Sequence, residues 1–352
     1  MDLDLFESRK RDHIHLALSP ENQALGGTGL DHVHLYHEAL PELDLSEITL
    51  DSVRFGKSCT SSTYISGMTA GHADAAWINS MMAAAAQARG WAMGVGSQRR
   101  ELEASQENLP DRWKEFRQKF PKLSVFANLG ITQIVQAPID SIRRVIDSLE
   151  ANALVIHTNV LQESLQSEGT PSFRGALSAL ELVCKKLETP VVLKETGCGF
   201  AASTLLRVKD IGLAALDVSG FGGTHWGRIE GARASVGSVQ AEASATFAKW
   251  GESTVSSVLA ARKTAPALEV WGSGGVRSGL DAAKLIALGA SQVGFAQPVL
   301  KAVLGVEKSQ AEQSLNQWME KTEFEFKVAL LCTGSKSPLD LRAKEGSWRV
   351  QS

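Results

Sequence analysis

The chain has 352 residues, 43% of them hydrophobic and 21% charged, with a formal net charge of −3. That composition suits a globular protein with a large core and excludes global disorder. It offers no domain-wide basic field for nucleic acid and no apolar run near the ~20 residues that a membrane helix needs.

In chain order, the first strand is predicted at 62–67 and is followed by an Ala- and Met-rich helix at 74–89. A strand at 91–96 precedes a short helix at 101–107. A strand at 123–129 leads to helical spacing over 139–150. The pattern repeats with a strand at 153–157 and a helix at 174–187, then a strand at 190–194 and a helix at 201–209. A strand at 214–218 runs into a long polar stretch before a predicted helix at 243–262. The last units are a strand at 268–272 with a helix at 280–288, and a strand at 292–296 with an apolar, helix-like 299–303. The strands are short, rich in Val, Ile and Leu, and end in glycines, as strands buried on both faces of a parallel sheet do. Eight such units predict a TIM (β/α)8 barrel over 61–305 within a single domain. An N-terminal extension (1–60) and a C-terminal helical extension (306–352, with a helix at 307–329) flank it. An open doubly wound sheet is the alternative, but no G-x-G-x-x-G fingerprint follows the first strand.

A barrel of this kind carries its site at the carboxyl ends of its strands, and those ends are polar here. They supply Met68, Thr69 and Ala70; Ser97, Gln98 and Arg99; Asn128; His157, Asn159, Gln162 and Glu163; Lys194; Ser219 and Thr224; Gly274, Gly275 and Arg277; Ala296 and Gln297. Gly274-Gly275 and Arg277 before a helix read either as a plain glycine turn or as a phosphate site of backbone N–H groups. A phosphate-bearing cofactor follows from the second reading. Thr69, Ser97, Asn128 and Thr224 suit the polar edge of a flavin, and Lys194 its N1/O2 edge. The run Arg9-Lys10-Arg11 reads as a solvated basic patch or, beside an anion site, as a diphosphate clamp. Glu163 offers a hard oxygen for Mg²⁺. His32, His34 and His37 complete no recognisable metal-ligand set. Cys59, Cys184, Cys198 and Cys332 have no short spacing and read as thiols of a reducing compartment. The opening MDLDLFESRKRDHIHL lacks a secretory pattern, so a cytoplasmic protein without membrane insertion is expected.

The motifs taken together resemble type 2 isopentenyl-diphosphate isomerase, the FMN-dependent form. They are Arg9-Lys10…His13, His37 to Glu42, Met68-Thr69-Ala70-Gly71, Gly96-Ser97-Gln98-Arg99, Ala127-Asn128-Leu129 and His157…Asn159…Gln162-Glu163. They continue with Lys194-Glu195…Gly197…Gly199, Gly222-Gly223-Thr224…Trp226…Glu230 and Ser273-Gly274-Gly275…Arg277, so the similarity spans Arg9 to about Leu300. The resemblance implies interconversion of isopentenyl and dimethylallyl diphosphate with reduced FMN, Mg²⁺, NADPH as reductant and a homo-oligomer. It implies catalytic roles for Gln162, His157 and Asn159, and substrate contacts from Arg9, Lys10, Ser97, Gln98, Arg99 and Gln162. Glu163 would be the Mg²⁺ ligand. Met68, Thr69, Ala70, Ser97, Asn128, Lys194, Ser219, Thr224, Gly274, Gly275, Arg277, Ala296 and Gln297 would contact FMN.

The sequence departs from that family at Ala70, where a glycine is usual, at His225, where Ser or Asn is expected, and at Gln297, where a small residue is common. A binding-only flavin or prenyl-diphosphate protein is one alternative. An FMN-dependent 2-hydroxy-acid oxidase is another, but it needs a histidine base in a His-Gly-Gly-Arg-like turn where this chain has Phe221-Gly222-Gly223-Thr224. A dehydrogenase with a loop cysteine after strand six fails because no cysteine lies between Cys198 and Cys332. The stretch 223–243, with Gly227, Gly231 and Gly237, reads as a loop able to cover the site.

Overall fold

The computed structural model describes residues 12–68, 74–103 and 112–351. Eight strands close into one parallel barrel: β1 (Thr63–Ile65), β2 (Ala92–Gly94), β3 (Val125–Gly130), β4 (Ala153–His157), β5 (Val191–Lys194), β6 (Ala215–Asp217), β7 (Glu269–Gly272) and β8 (Gln292–Phe295). The ring shuts where β8 pairs with β1, Val293 opposite Thr63 and Phe295 opposite Ile65. All eight lie at the predicted places.

Successive strand residues point to opposite faces, and both faces are apolar here. Ile65, Leu154, Ile156, Leu193, Leu216 and Val293 face outward into the core shared with the helices. Tyr64, Phe126, Val192 and Trp271 face inward. These four come from the odd strands β1, β3, β5 and β7, as in the layered filling of a TIM barrel. Trp271 packs 5.1 Å from Tyr64 and 5.4 Å from Phe126, centroid to centroid. Two residues further along the same strands the inward positions turn polar, to Ser66, Asn128, Lys194 and Ser273. The site floor is thus the next layer that these odd strands fill.

The N-terminal extension seals the opposite end. Ser52–Arg54 and Lys57–Cys59 form an antiparallel hairpin. Its two turn residues, Phe55 and Gly56, have φ of 51° and 72°, a backbone that matches the right-handed strand twist. The Phe55 ring lies 5.4 Å from Trp271. Buried Arg54 donates to Gln292 Oε1 from Nε at 2.9 Å and Nη2 at 2.6 Å.

Several expectations are corrected. The predicted helix over 243–262 is two helices, Val239–Thr246 and Thr254–Thr264. The chain breaks between them at Gly251, with φ 143°, and Ser253 caps the second. The stretch 223–243 is not a loop: it contains the helix Trp226–Arg233, which packs on Val239–Thr246. Gly231 permits this, because a Cβ there would overlap Ser244 Oγ. The glycine that suggested a loop marks a close helix contact. The described part of the predicted 101–107 helix is Arg99–Glu103, and its remainder lies outside the described residues. The C-terminal helix runs Ala311–Cys332 and is followed by Pro338–Ala343 and a strand, Trp348–Val350, paired with Val33–Leu35. His34 lies in the Val33–Leu35 strand, and His32 ends the 3-10 turn just before it.

Candidate active site

A cavity opens at the carboxyl ends of the barrel strands, and its floor is the polar layer just described. Lys194 is 7% exposed there, and its Nζ donates to Asp217 Oδ2 at 2.6 Å and to Ser273 Oγ at 3.2 Å. Asn128 donates from Nδ2 to the Val95 carbonyl at 3.1 Å, which leaves Oδ1 as acceptor for His157 Nδ1 at 2.7 Å. The network therefore places a proton on His157 Nδ1.

One wall is built from close-packed turns. The turn after β6 lies against the turn after β7. A Cβ on Gly274 would overlap Gly220 O, and one on Gly275 would overlap Gly222 O. Ser219 holds φ 35° in the same turn, a strained backbone for a residue with a side chain. The helix after β7 does not offer its N-terminus to a ligand, because Asp281 Oδ2 takes the amides of Arg277 and Ser278 at 2.9 and 3.1 Å. The start of the next helix, at Ala296, Gln297 and Pro298, lines the cavity instead.

The facing wall carries a polar cluster. Asn159 ends the turn after β4, and Gln162 and Glu163 lie in the first turn of Val160–Leu165. Asn159 Nδ2 donates to Gln162 Oε1 at 3.3 Å and to Glu163 Oε1 at 3.1 Å. Gln162 Nε2 donates to Glu230 Oε1 at 2.8 Å. That oxygen also accepts from His13 Nε2 at 2.9 Å, while Arg233 Nη1 holds Glu230 Oε2 at 2.6 Å. Burial of the Glu230 side chain opposes its charge. His13, the Gln162 hydrogen bond and Arg233 outweigh that, so its carboxyl titrates below the ordinary 4.5. Arg233 also reaches Glu168 at 2.7 Å, tying the wall to the following loop.

Sequence comparison adds the decisive observation. Isopentenyl-diphosphate delta-isomerase of Legionella pneumophila (strain Paris) is 52% identical over 339 residues, 96% of this chain and 97% of that protein. The enzyme of the same name from Bdellovibrio bacteriovorus is 46% identical over 344 residues, 97% of each chain. The family model for FMN-dependent dehydrogenases matches residues 141–345, more than half of the chain. The chain belongs to the FMN-dependent, type 2 isopentenyl-diphosphate isomerase family. In fold it is also similar to mandelate oxidase solved with benzoyl-formic acid, with a TM-score of 0.62 and 19% identity over 99% of this chain and 98% of that one.

For a member of this isomerase family the donor set can be tested against FMN. A lysine, an asparagine amide and serine hydroxyls at the floor match the polar edge of a flavin. The Gly274-Gly275 turn, the 297 helix start and Arg277 are anion-binding chemistry on the wall. The residues present fit the cofactor. Glu163 lines the same cavity with one hydrogen bond recorded at each carboxylate oxygen, from Asn159 and the Thr170 amide. It keeps lone pairs for a cation.

Of the residues expected at the site, Met68, Ser97, Arg99, Asn128, His157 and Asn159 line the cavity. So do Gln162, Glu163, Lys194, Ser219 and Thr224. Gly274, Gly275, Arg277, Ala296 and Gln297 complete that set. Gln98 does not line it: its side chain is buried and its Oε1 accepts from the Asn128 amide at 3.1 Å, so it braces the floor from behind. Arg9, Lys10, Thr69 and Ala70 lie outside the described residues. Sequence reasoning gave no role to Ser66, Asp217 or Ser273, and quoted His13, Trp226 and Glu230 only as motif members. The signal for Ser66 and Ser273 was available, since each stands two residues beyond an inward aromatic.

His225 has a local explanation. It is the N-cap of Trp226–Arg233, and its Nδ1 accepts the Arg228 amide at 3.1 Å, the job Ser or Asn does elsewhere. Burial, and then Arg228, push its pKa below the ordinary 6.5. The unfolded chain therefore binds the extra proton, and the cap's stabilisation, present above 6.5, is lost as pH falls through the lower folded value. His225→Asn should keep the cap and flatten the fall in melting temperature on the acid side. His225→Ala should cost about 1 kcal/mol. Equal acid sensitivity of the wild type and His225→Asn in thermal melts would remove this role.

Proposed function

We propose that the protein interconverts isopentenyl and dimethylallyl diphosphate, adding a proton at one carbon of the allylic system and removing one from another. The observation that carries the reading is Gln162, which lines the same cavity as Lys194 and Asn128 and is held by Glu230 Oε1 at 2.8 Å. Reduced FMN, when bound, supplies an electron-rich face that stabilises positive charge developing on the alkene. A prenyl chain offers little to grip, so the diphosphate must carry most of the affinity. Arg99 at the cavity, with Arg9 and Lys10, is the basic set for it, and Glu163 would hold Mg²⁺ against the same group. Gln162 orients the alkene and is hydrogen-bonded to the Glu230 carboxylate. Glu230, buried behind the lining, holds Gln162 in place through Oε1. His157 and Asn159 keep that wall and the floor in register.

The mandelate oxidase fold does not favour oxidase chemistry for this chain. His225, the histidine of the turn after β6, lies outside the cavity lining and spends Nδ1 on its helix. NADPH as the flavin's reductant, a cytoplasmic setting and a homo-oligomer belong to the same reading. No helix among the described residues is long and apolar enough to cross a membrane.

The deciding experiment incubates the reduced, FMN-loaded protein with isopentenyl diphosphate and Mg²⁺ in D₂O. Dimethylallyl diphosphate carrying solvent deuterium is expected. Failure of the oxidised protein to take up FMN, or no exchange after reduction, overturns the reading. Glu163→Gln should move the Mg²⁺ midpoint upward in the same assay, and an unaltered midpoint would put the ion elsewhere.

A further inference from the structure

Asp217 is the last residue of β6 and points into the barrel, one layer below the cavity floor. The neighbouring even strands fill that layer with Gly94, Val155 and Gly294, so packing alone asks for a small apolar residue. Instead it holds a carboxylate only 1% exposed, a costly placement unless the charge is paired. Both of its oxygens are spent upward. Oδ2 takes Lys194 Nζ at 2.6 Å and Oδ1 takes Ser273 Oγ at 2.5 Å. Lys194 Nζ also donates to Ser273 Oγ at 3.2 Å, which closes a three-membered ring of hydrogen bonds. The titratable groups facing this carboxylate are Lys194 and, from β1 below, Tyr64. Burial and then the Asp217 charge hold the Tyr64 phenol well above 10, so it stays protonated.

We propose that Asp217, braced by Ser273, is a positioning residue that keeps Lys194 protonated and aimed into the cavity floor, and so sets the charge the protein presents to a flavin. The inference rests on the flavin reading of the cavity for its consequence but not for the coupling itself. An ammonium in so dry a place releases its proton once its counter-ion is removed. A flavin above a neutral lysine has less to stabilise a negative N1, so its reduced form should take a proton there more readily.

The test uses Asp217→Asn, Lys194→Met, their double variant and Ser273→Ala in the full-length protein. In wild type loaded with FMN and reduced at neutral pH, the spectrum of the anionic hydroquinone is expected. Asp217→Asn should give the neutral hydroquinone, its N1 pKa raised by about one unit or more. The double variant should match Lys194→Met, because Asp217 acts through the lysine, and Ser273→Ala should fall between. An anionic spectrum in Asp217→Asn would overturn the proposal, as would a double variant that differs from Lys194→Met. FMN-free protein supplies the independent readout, with the double variant expected to melt above Asp217→Asn because the unpaired lysine is gone. Absence of that rescue also overturns the proposal. Failure of the wild type to take up FMN defeats the functional reading, while the FMN-free melts still decide the coupling. Should Asp217→Asn not fold, Ser273→Ala alone decides, and a spectrum identical to wild type sinks the idea.

Discussion

Glu230→Gln is expected to cut turnover by a factor of about 10², the scale for a catalytic group misplaced by about 1 Å, because the carboxylate holds Gln162. FMN content should change far less. The carboxylate lies buried behind the cavity wall and touches Gln162, His13 and Arg233 rather than the floor or the glycine turns. Gln162→Asn is expected to act on the same unit, since one methylene less draws the amide away from Glu230 Oε1. The double variant should therefore lose little more than the worse single one, as residues acting together are not additive. Turnover of the reduced enzyme and flavin absorbance are measured side by side. Wild-type turnover in Glu230→Gln would take this carboxylate out of the chemistry. The depressed pKa of Glu230 adds a check by sign. Its stabilisation is present above the ordinary 4.5 and is lost as pH falls through the lower folded value, so that part of the acid loss should vanish in the glutamine variant.

Gly274→Ala should be the most damaging small substitution in the glycine turns. The residue has φ 98°, and its new Cβ would overlap the Gly220 carbonyl, a backbone atom that cannot step aside alone. Strain of this kind costs about 1–3 kcal/mol, and the displaced turn adds an overpacking cost of about 1–3 kcal/mol. Both turns beside the proposed phosphate site would separate, so the protein should purify with little flavin and a clearly lowered melting temperature. Gly237→Ala is the matched control: its φ is 78°, yet no atom lies within 4 Å of the added methyl. It should lose at most about 1 kcal/mol and keep full flavin. Equal flavin loss in both would mean that strain alone, not the packing of the two turns, matters.

Much of this architecture is written in the order of the residues. Each barrel strand combines a short, largely apolar run with a glycine or polar end, and that punctuation survives without any tertiary information. Which side chains face inward does not, because both faces of such strands are apolar and alternation is invisible. It becomes readable only at the ends, where Tyr64 is followed by Ser66, Phe126 by Asn128, Val192 by Lys194 and Trp271 by Ser273. Asp217 escaped for the same reason: within a run such as Ala214 to Val218 nothing distinguishes a buried carboxylate from one at a turn. Glycines misled in the other direction. Gly231 looks like a loop residue until Ser244 is seen beside it, and only the folded chain brings the two together. The Glu230 network likewise needs three segments remote in sequence, and His13 lies 217 residues from its partner.

The way the ring shuts bears on how the chain is made. β1 is the earliest barrel strand to leave the ribosome, yet one of its two neighbours, β8, begins at Gln292. Until then its hydrogen-bonding edge has no permanent mate, a situation that invites pairing between nascent chains. Trp348–Val350 reaches back to Val33–Leu35 later still. Closure of the ring must therefore wait until β8 has been made, with the longest-range pairings arriving last.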